Sequence, residues 1–171
     1  MAVIAGAVAF VLIGRSSDGA NGGGGSNGTT GGGPVKLTGV TAYDPFGTGG
    51  EHDAEAPLAA DGDPGTRWTT QRYETPGDLA KPGVGVVLSL PAADQLTRVR
   101  VSTDTPGFQA RIQVGDSQTG PFHDASITRT VNGVTTFPIR DGAKGRYLVV
   151  WITHLPPDSQ VAHVNEVQAV A

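Results

Sequence analysis

The sequence has no cysteine, which excludes disulfide staples, thiol catalysis and cysteine-ligated zinc. Export remains open, because a domain of this size can fold without staples. Aromatic residues are scarce, with two Trp, three Tyr and five Phe in 171 residues, so each large ring carries an outsized share of buried area. Net charge is a mild −4 with no Lys/Arg block in the folded part, which leaves a nucleic-acid role little to rest on. There is no Gly-x-Ser-x-Gly elbow and no Ser/His/Asp order that suggests a triad. The glycine-rich tract does not lie between a strand and a helix, so it is no phosphate cradle. These absences point away from an enzyme.

What is abundant is glycine, and its excess is local: nine of the fifteen residues from Gly19 to Gly33. A stretch of Gly, Asn, Ser, Thr and Ala has almost nothing to bury and is expected to form a flexible linker over 16–34. Its coil would span roughly 25 Å. Ahead of it, Ala2–Gly14 is apolar throughout. As a helix that run reaches about 20 Å, short of a hydrocarbon core of roughly 30 Å. No basic residue precedes it, as a secretory signal would require. Residues 1–15 are therefore read as the outer part of a transmembrane helix that begins upstream, with an unusual signal segment as the alternative. Either reading puts 35–171 outside the cytoplasm, anchored to the cell membrane or secreted after cleavage.

Beyond residue 34 the apolar stretches are short, β-branched and bounded by turn residues, which predicts an all-β domain. Strands are expected at Val35–Ala42, Val84–Leu90, Leu96–Thr103, Ala110–Gly115, Ile127–Val131, Val134–Ile139, Arg146–Thr153 and Ala162–Val170. Pro91 marks the end of the second, and Asn132-Gly133 reads as a hairpin turn. About eight strands with polar turns suggest a jelly-roll sandwich. Tyr147–Thr153 is the most apolar and should lie centrally, buried on both faces, with Trp151 in the core and Trp68 plugging one end.

The acids are unevenly placed. Asp44, Glu51, Asp53, Glu55, Asp61 and Asp63 fall in one segment free of Lys and Arg, which must be solvated or neutralised by a cation. Within it, Asp61, Asp63 and Thr66 offer oxygens at i, i+2 and i+5, and Gly62 and Gly65 permit the bend. That pattern suits a hard cation, which wants six to eight oxygens at roughly 2.3–2.6 Å.

The run PLAADGDPGTRW at Pro57–Trp68, with AHVNEVQAV at Ala162–Val170, resembles the signature and closing strand of F5/8 type C (discoidin) domains and family 32 carbohydrate-binding modules. The resemblance implies a galactose-binding-like β-sandwich over 35–171. It also implies a structural calcium held by Leu58, Asp61, Asp63, Thr66, Asn165 and Glu166. The strings at 43–73, 83–90 and 146–157 look like the extracytoplasmic C-terminal domain of actinobacterial MviN-type (MurJ-like) and kinase-like membrane proteins. Flippase and kinase activity are not implied, for the sequence holds neither the many spans of the one nor the His-Arg-Asp loop of the other.

Discoidin-type sandwiches bind sugars, lipids or proteins through loops. The candidate contact residues here are Tyr43, Phe46, His52, Arg72 and Tyr73, with His123 and the turn 154–160 nearby. Phe46 is expected to plug the sandwich edge. The four histidines show no metal spacing. The implied role is a non-catalytic module for cell-wall glycan or its lipid-linked precursor; a scaffolding domain beside wall-synthesis membrane proteins is the alternative.

Overall fold

The computed structural model describes residues 32–48 and 50–171; the apolar run and most of the glycine-rich tract lie outside the described residues. Strands run over β1 Pro34–Val35, β2 Thr38–Tyr43, β3 Trp68–Thr69, β4 Val84–Gln95, β5 Arg98–Ser102 and β6 Phe108–Gly115. They continue as β7 His123–Asp124, β8 Arg129–Val131, β9 Val134–Pro138, β10 Lys144–His154, β11 His163–Val164 and β12 Glu166–Val170. A 3₁₀ segment at Asp53–Ala59 is the only helix among the described residues. None there is long and apolar enough to cross a membrane.

The strands form an antiparallel sandwich. One sheet has the order β1-β12-β5-β9; the other has β2-β4-β10-β6-β7, with β8 also on β6. Alternation of side chains decides the faces. Leu148, Val150 and Ile152 of β10 pack with Val84, Val86 and Leu88 of β4 and Phe108, Ala110 and Ile112 of β6. The opposite sheet adds Val99, Val101, Phe137, Val167 and Ala169 to the same core. β10 pairs with both β4 and β6, and Leu148 through Ile152 are buried without interruption. The central position expected of this strand is what the structure shows.

Three expectations need correction. Strand β4 does not stop at Pro91 but runs to Gln95, and between the Ser89–Tyr147 and Asp94–Gly145 pairs its register with β10 shifts. Proline is tolerated at such a bulge because no ladder N–H is needed there. Asn132-Gly133 does turn the chain, with Gly133 at φ 58°, but β8 pairs β6 while β9 pairs β5. The turn therefore carries the chain from one sheet to the other and is no hairpin. Finally, the closing strand is broken at Asn165: β11 pairs β3 and β12 pairs β5.

Candidate functional site

The run 58–68 leaves the 3₁₀ segment and ends in β3, whose Trp68 pairs with Val164 of β11. Its turns are built from its own side chains. Asp61 accepts the Asp63 N–H at 2.9 Å, and Asp63 accepts the Gly65 N–H at 2.8 Å. The closing strand is drawn onto it: Glu166 Oε2 accepts the Gly62 N–H at 3.1 Å, and Asn165 Nδ2 donates to the Pro64 carbonyl at 3.0 Å. Leu58, Asp61, Asp63, Thr66, Asn165 and Glu166 thus meet in one place, although Glu166 is separated from Gly62 by 104 residues.

The oxygens there outnumber the protons. Thr66 Oγ1 lies 2.9 and 2.8 Å from the two Asp61 carboxylate oxygens, 2.8 Å from the Asp63 carbonyl and 3.4 Å from the Leu58 carbonyl. A hydroxyl has a single proton to donate, so most of these are contacts between lone pairs. Burial raises the Glu166 pKa; the Gly62 N–H opposes that, and the Asp61 and Asp63 charges add to it. The donor set fits a hard cation in kind. It consists of carboxylate, hydroxyl and carbonyl oxygens; among the described residues no three His, Cys, Asp or Glu side chains are grouped so that they could hold a metal ion.

The other acids of the segment are dispersed. Asp53 accepts from Thr41 Oγ1 and the Ala42 N–H, and Glu55 accepts the Thr69 N–H. Glu51 is fully buried. Its carboxylate takes Tyr73 Oη, the Gln71 N–H and Lys81 Nζ, and Lys81 also binds Asp44 at 2.8 Å. Burial beside this carboxylate pushes the Tyr73 phenol well above its usual pKa. An ammonium from a distant turn therefore pairs with two of the six acids and offsets one of their two charges.

A second feature lies on the outer face of the larger sheet. Tyr43, Gly85, Trp151 and Arg111 occupy one register row across β2, β4, β10 and β6. Gly85, without a side chain on that face, lets the Tyr43 ring approach Trp151 to 5.6 Å between centroids. Phe122 meets Tyr43 edge-on at 4.9 Å, and Phe46 stands 6.4 Å from Trp151. With Pro45, Pro82, Arg111 and Gln113 these rings line an open concavity. Asp124 Oδ1 accepts both Arg111 Nε at 2.7 Å and Gln113 Nε2 at 2.8 Å, fixing the two polar groups.

The structure sorts the candidate contact residues. Tyr43 and Phe46 line the concavity, and Phe46 is 58% exposed, so it is a spike and not an edge plug. His52 instead donates through Nδ1 to the Thr69 carbonyl, Arg72 donates to Gln160, and Tyr73 is engaged with Glu51. These three are spent on holding loops together. His123 lines a separate surface hollow. Trp68 is in the main core, whereas Trp151, 4% exposed, belongs to a small outer cluster with Val87 and Val149. Sequence reasoning missed Arg111, Gln113 and this placing of Trp151. The signal was parity: Trp151 alternates with Val150 and Ile152, and Arg111 with Ala110 and Ile112.

No protein-family model matches the chain. Solved structures do. CBM32-3 from a family 31 glycoside hydrolase of Clostridium perfringens is 16% identical, with a TM-score of 0.56 over 80% of this chain and 91% of that one. Chitosan-binding module 2 of a chitosanase/glucanase from Paenibacillus sp. IK-5, in complex with chitotriose, is 13% identical, with a TM-score of 0.55 over 80% and 96%. The fold is that of the galactose-binding-like carbohydrate-binding modules. A chain from the complex of reduced XRCC1 with the DNA pol beta catalytic domain is as similar, at 16% identity and a TM-score of 0.57 over 81% and 98%.

Proposed function

We propose that residues 35–171 form a non-catalytic extracytoplasmic module whose outer-face concavity binds cell-wall glycan or its lipid-linked precursor. The observation that carries this reading is the cluster of Tyr43, Phe122 and Trp151 with Phe46 exposed at its rim. Flat rings stack on the apolar C–H faces of sugars, and a fixed Arg and Gln beside them supply hydrogen bonds to hydroxyls. The likeness in fold to a module seen with chitotriose supports the choice of ligand class. The apolar run and glycine-rich tract of the sequence support attachment to a membrane, and the MviN-type resemblance supports a wall-synthesis setting.

In this reading calcium is a structural cofactor of the 58–66 loop, held by Asp61, Thr66, the Leu58 and Asp63 carbonyls and Glu166. It would supply charge neutralisation where lone pairs converge.

The test is binding of the full chain to purified peptidoglycan sacculi and to a glycan array. Saturable retention that a soluble wall fragment competes away supports the module. No retention, together with co-purification of a membrane protein, would favour the scaffolding alternative, for which the XRCC1 complex gives a precedent in fold.

A further inference from the structure

We infer that the outer-face concavity selects saccharides that carry a carboxylate. The inference rests on the glycan-binding reading above and names its ligand more narrowly. Among the residues lining the cleft, Arg111 is the single charged group; the rest are aromatic, proline or glutamine. Asp124 stands behind it and takes only Nε, at 2.7 Å. Both terminal guanidinium nitrogens have no other partner among the described residues, and the side chain is 28% exposed.

This arrangement leaves the two-pronged edge of the guanidinium free while its stem is locked. A free Arg edge matches a carboxylate with two parallel hydrogen bonds, a geometry that a sugar hydroxyl does not reproduce. The lock lowers the ordering cost of that match, because the rotamer is set before the ligand arrives. Gln113 Nε2 shares the same Asp124 oxygen at 2.8 Å, so the ion pair is held on the Nε side and the protons of the terminal nitrogens are left for a ligand. Trp151 is the register partner of Arg111 on β10, and the exposed Phe46 ring lines the same cleft as the guanidinium. A sugar ring stacked there would present a uronic-acid or lactyl carboxylate to the guanidinium.

The probe is a tetrasaccharide of alternating glucuronic acid and N-acetylglucosamine, set against its carboxyl-reduced counterpart, in which each carboxylate becomes an alcohol. Calorimetric titration of the full chain at low salt is expected to show the acidic form binding about tenfold more tightly, the difference between charge-assisted and neutral hydrogen bonds. Added salt should shrink that ratio. Arg111→Gln should bring the ratio near one, and Arg111→Lys should retain part of it. Equal binding of both forms by the native chain, or a preference that survives Arg111→Gln, overturns this inference and leaves the glycan-binding reading standing. Binding of neither form overturns this inference, and the glycan-binding reading then stands or falls on retention by sacculi. The comparison on the native chain decides the matter even where a variant fails to fold.

Discussion

The Trp68 indole N–H donates to the backbone carbonyl of Glu51 at 2.7 Å, deep in the domain. The contact joins the last residue of the Asp-rich run to the most buried acid of the preceding loop. Glu51 is fully buried there, and Lys81 reaches its carboxylate at 3.0 Å while also holding Asp44 at 2.8 Å. Removing one partner of a buried pair strands the other charge, and costs about 3 kcal/mol or more. Lys81→Met should therefore lower the unfolding free energy by about 3 kcal/mol. An exposed change such as Arg98→Met should stay within about 0.5 kcal/mol. Urea denaturation of both variants checks this, and a Lys81→Met midpoint equal to native would remove the role given to the ammonium.

The cation loop makes a separate prediction. A ligand that binds only the folded state, at about a hundred times its Kd, stabilises by about 2.7 kcal/mol. Chelation should then lower the melting temperature by roughly 8 °C in a domain of this size. Asp61→Ala should melt at the lower temperature with or without chelator. Superimposed melting curves for the native chain under both conditions would exclude structural calcium.

Local pattern carried most of the fold into view, because short β-branched runs and period-two alternation are local properties. Pairing is not local. Nothing in Thr130–Thr136 distinguishes a hairpin from a corner between sheets; the distinction lies in β6 and β5, which capture the two arms. Glu166 could be placed beside Asp61 only through the family resemblance, since contact across so many residues leaves no spacing to read. Lys81 was likewise invisible as the partner of Glu51. The ring cluster was half legible: Tyr43 and Phe46 stood out as aromatics in a loop. Trp151 and Arg111 needed the register of β10 and β6 before their shared face could be seen.

Acid should loosen the junction between the loop and the closing strand. Burial alone would raise the Asp104 pKa. The His163 Nδ1 contact at 2.7 Å, the His163 charge and Arg67 outweigh it and hold the carboxyl below its usual range. A folded pKa below the unfolded one means that the stabilising contribution is complete above the unfolded value. It is lost as pH falls through the folded value. Asp104 is half exposed, so solvent discounts the effect. Urea midpoints followed from neutral into strongly acidic buffer should converge for native and Asp104→Asn protein at the acid end and separate above it. Parallel profiles would assign the acid loss to other carboxylates.

Phe46 and Trp151 should separate binding from folding. The two rings lie 6.4 Å apart, yet one is 58% exposed and the other 4%. Truncating a ring that is already in water removes little that folding had gained, so Phe46→Ala should change stability by less than about 0.5 kcal/mol. Trp151→Ala removes a ring packed against Val87, Val149 and Tyr43, and should cost about 3 kcal/mol. If the concavity holds sugar, both variants lose affinity, since stacking needs the exposed ring as well as the buried floor. Phe46→Ala protein that melts like native but binds glycan about tenfold more weakly would locate the ligand on this face, because a tenfold loss is about 1.4 kcal/mol. Undiminished binding would move the ligand elsewhere on the sandwich. A spike exposed without reward in folding energy is the feature that most needs a partner, and this pair of measurements asks for it directly.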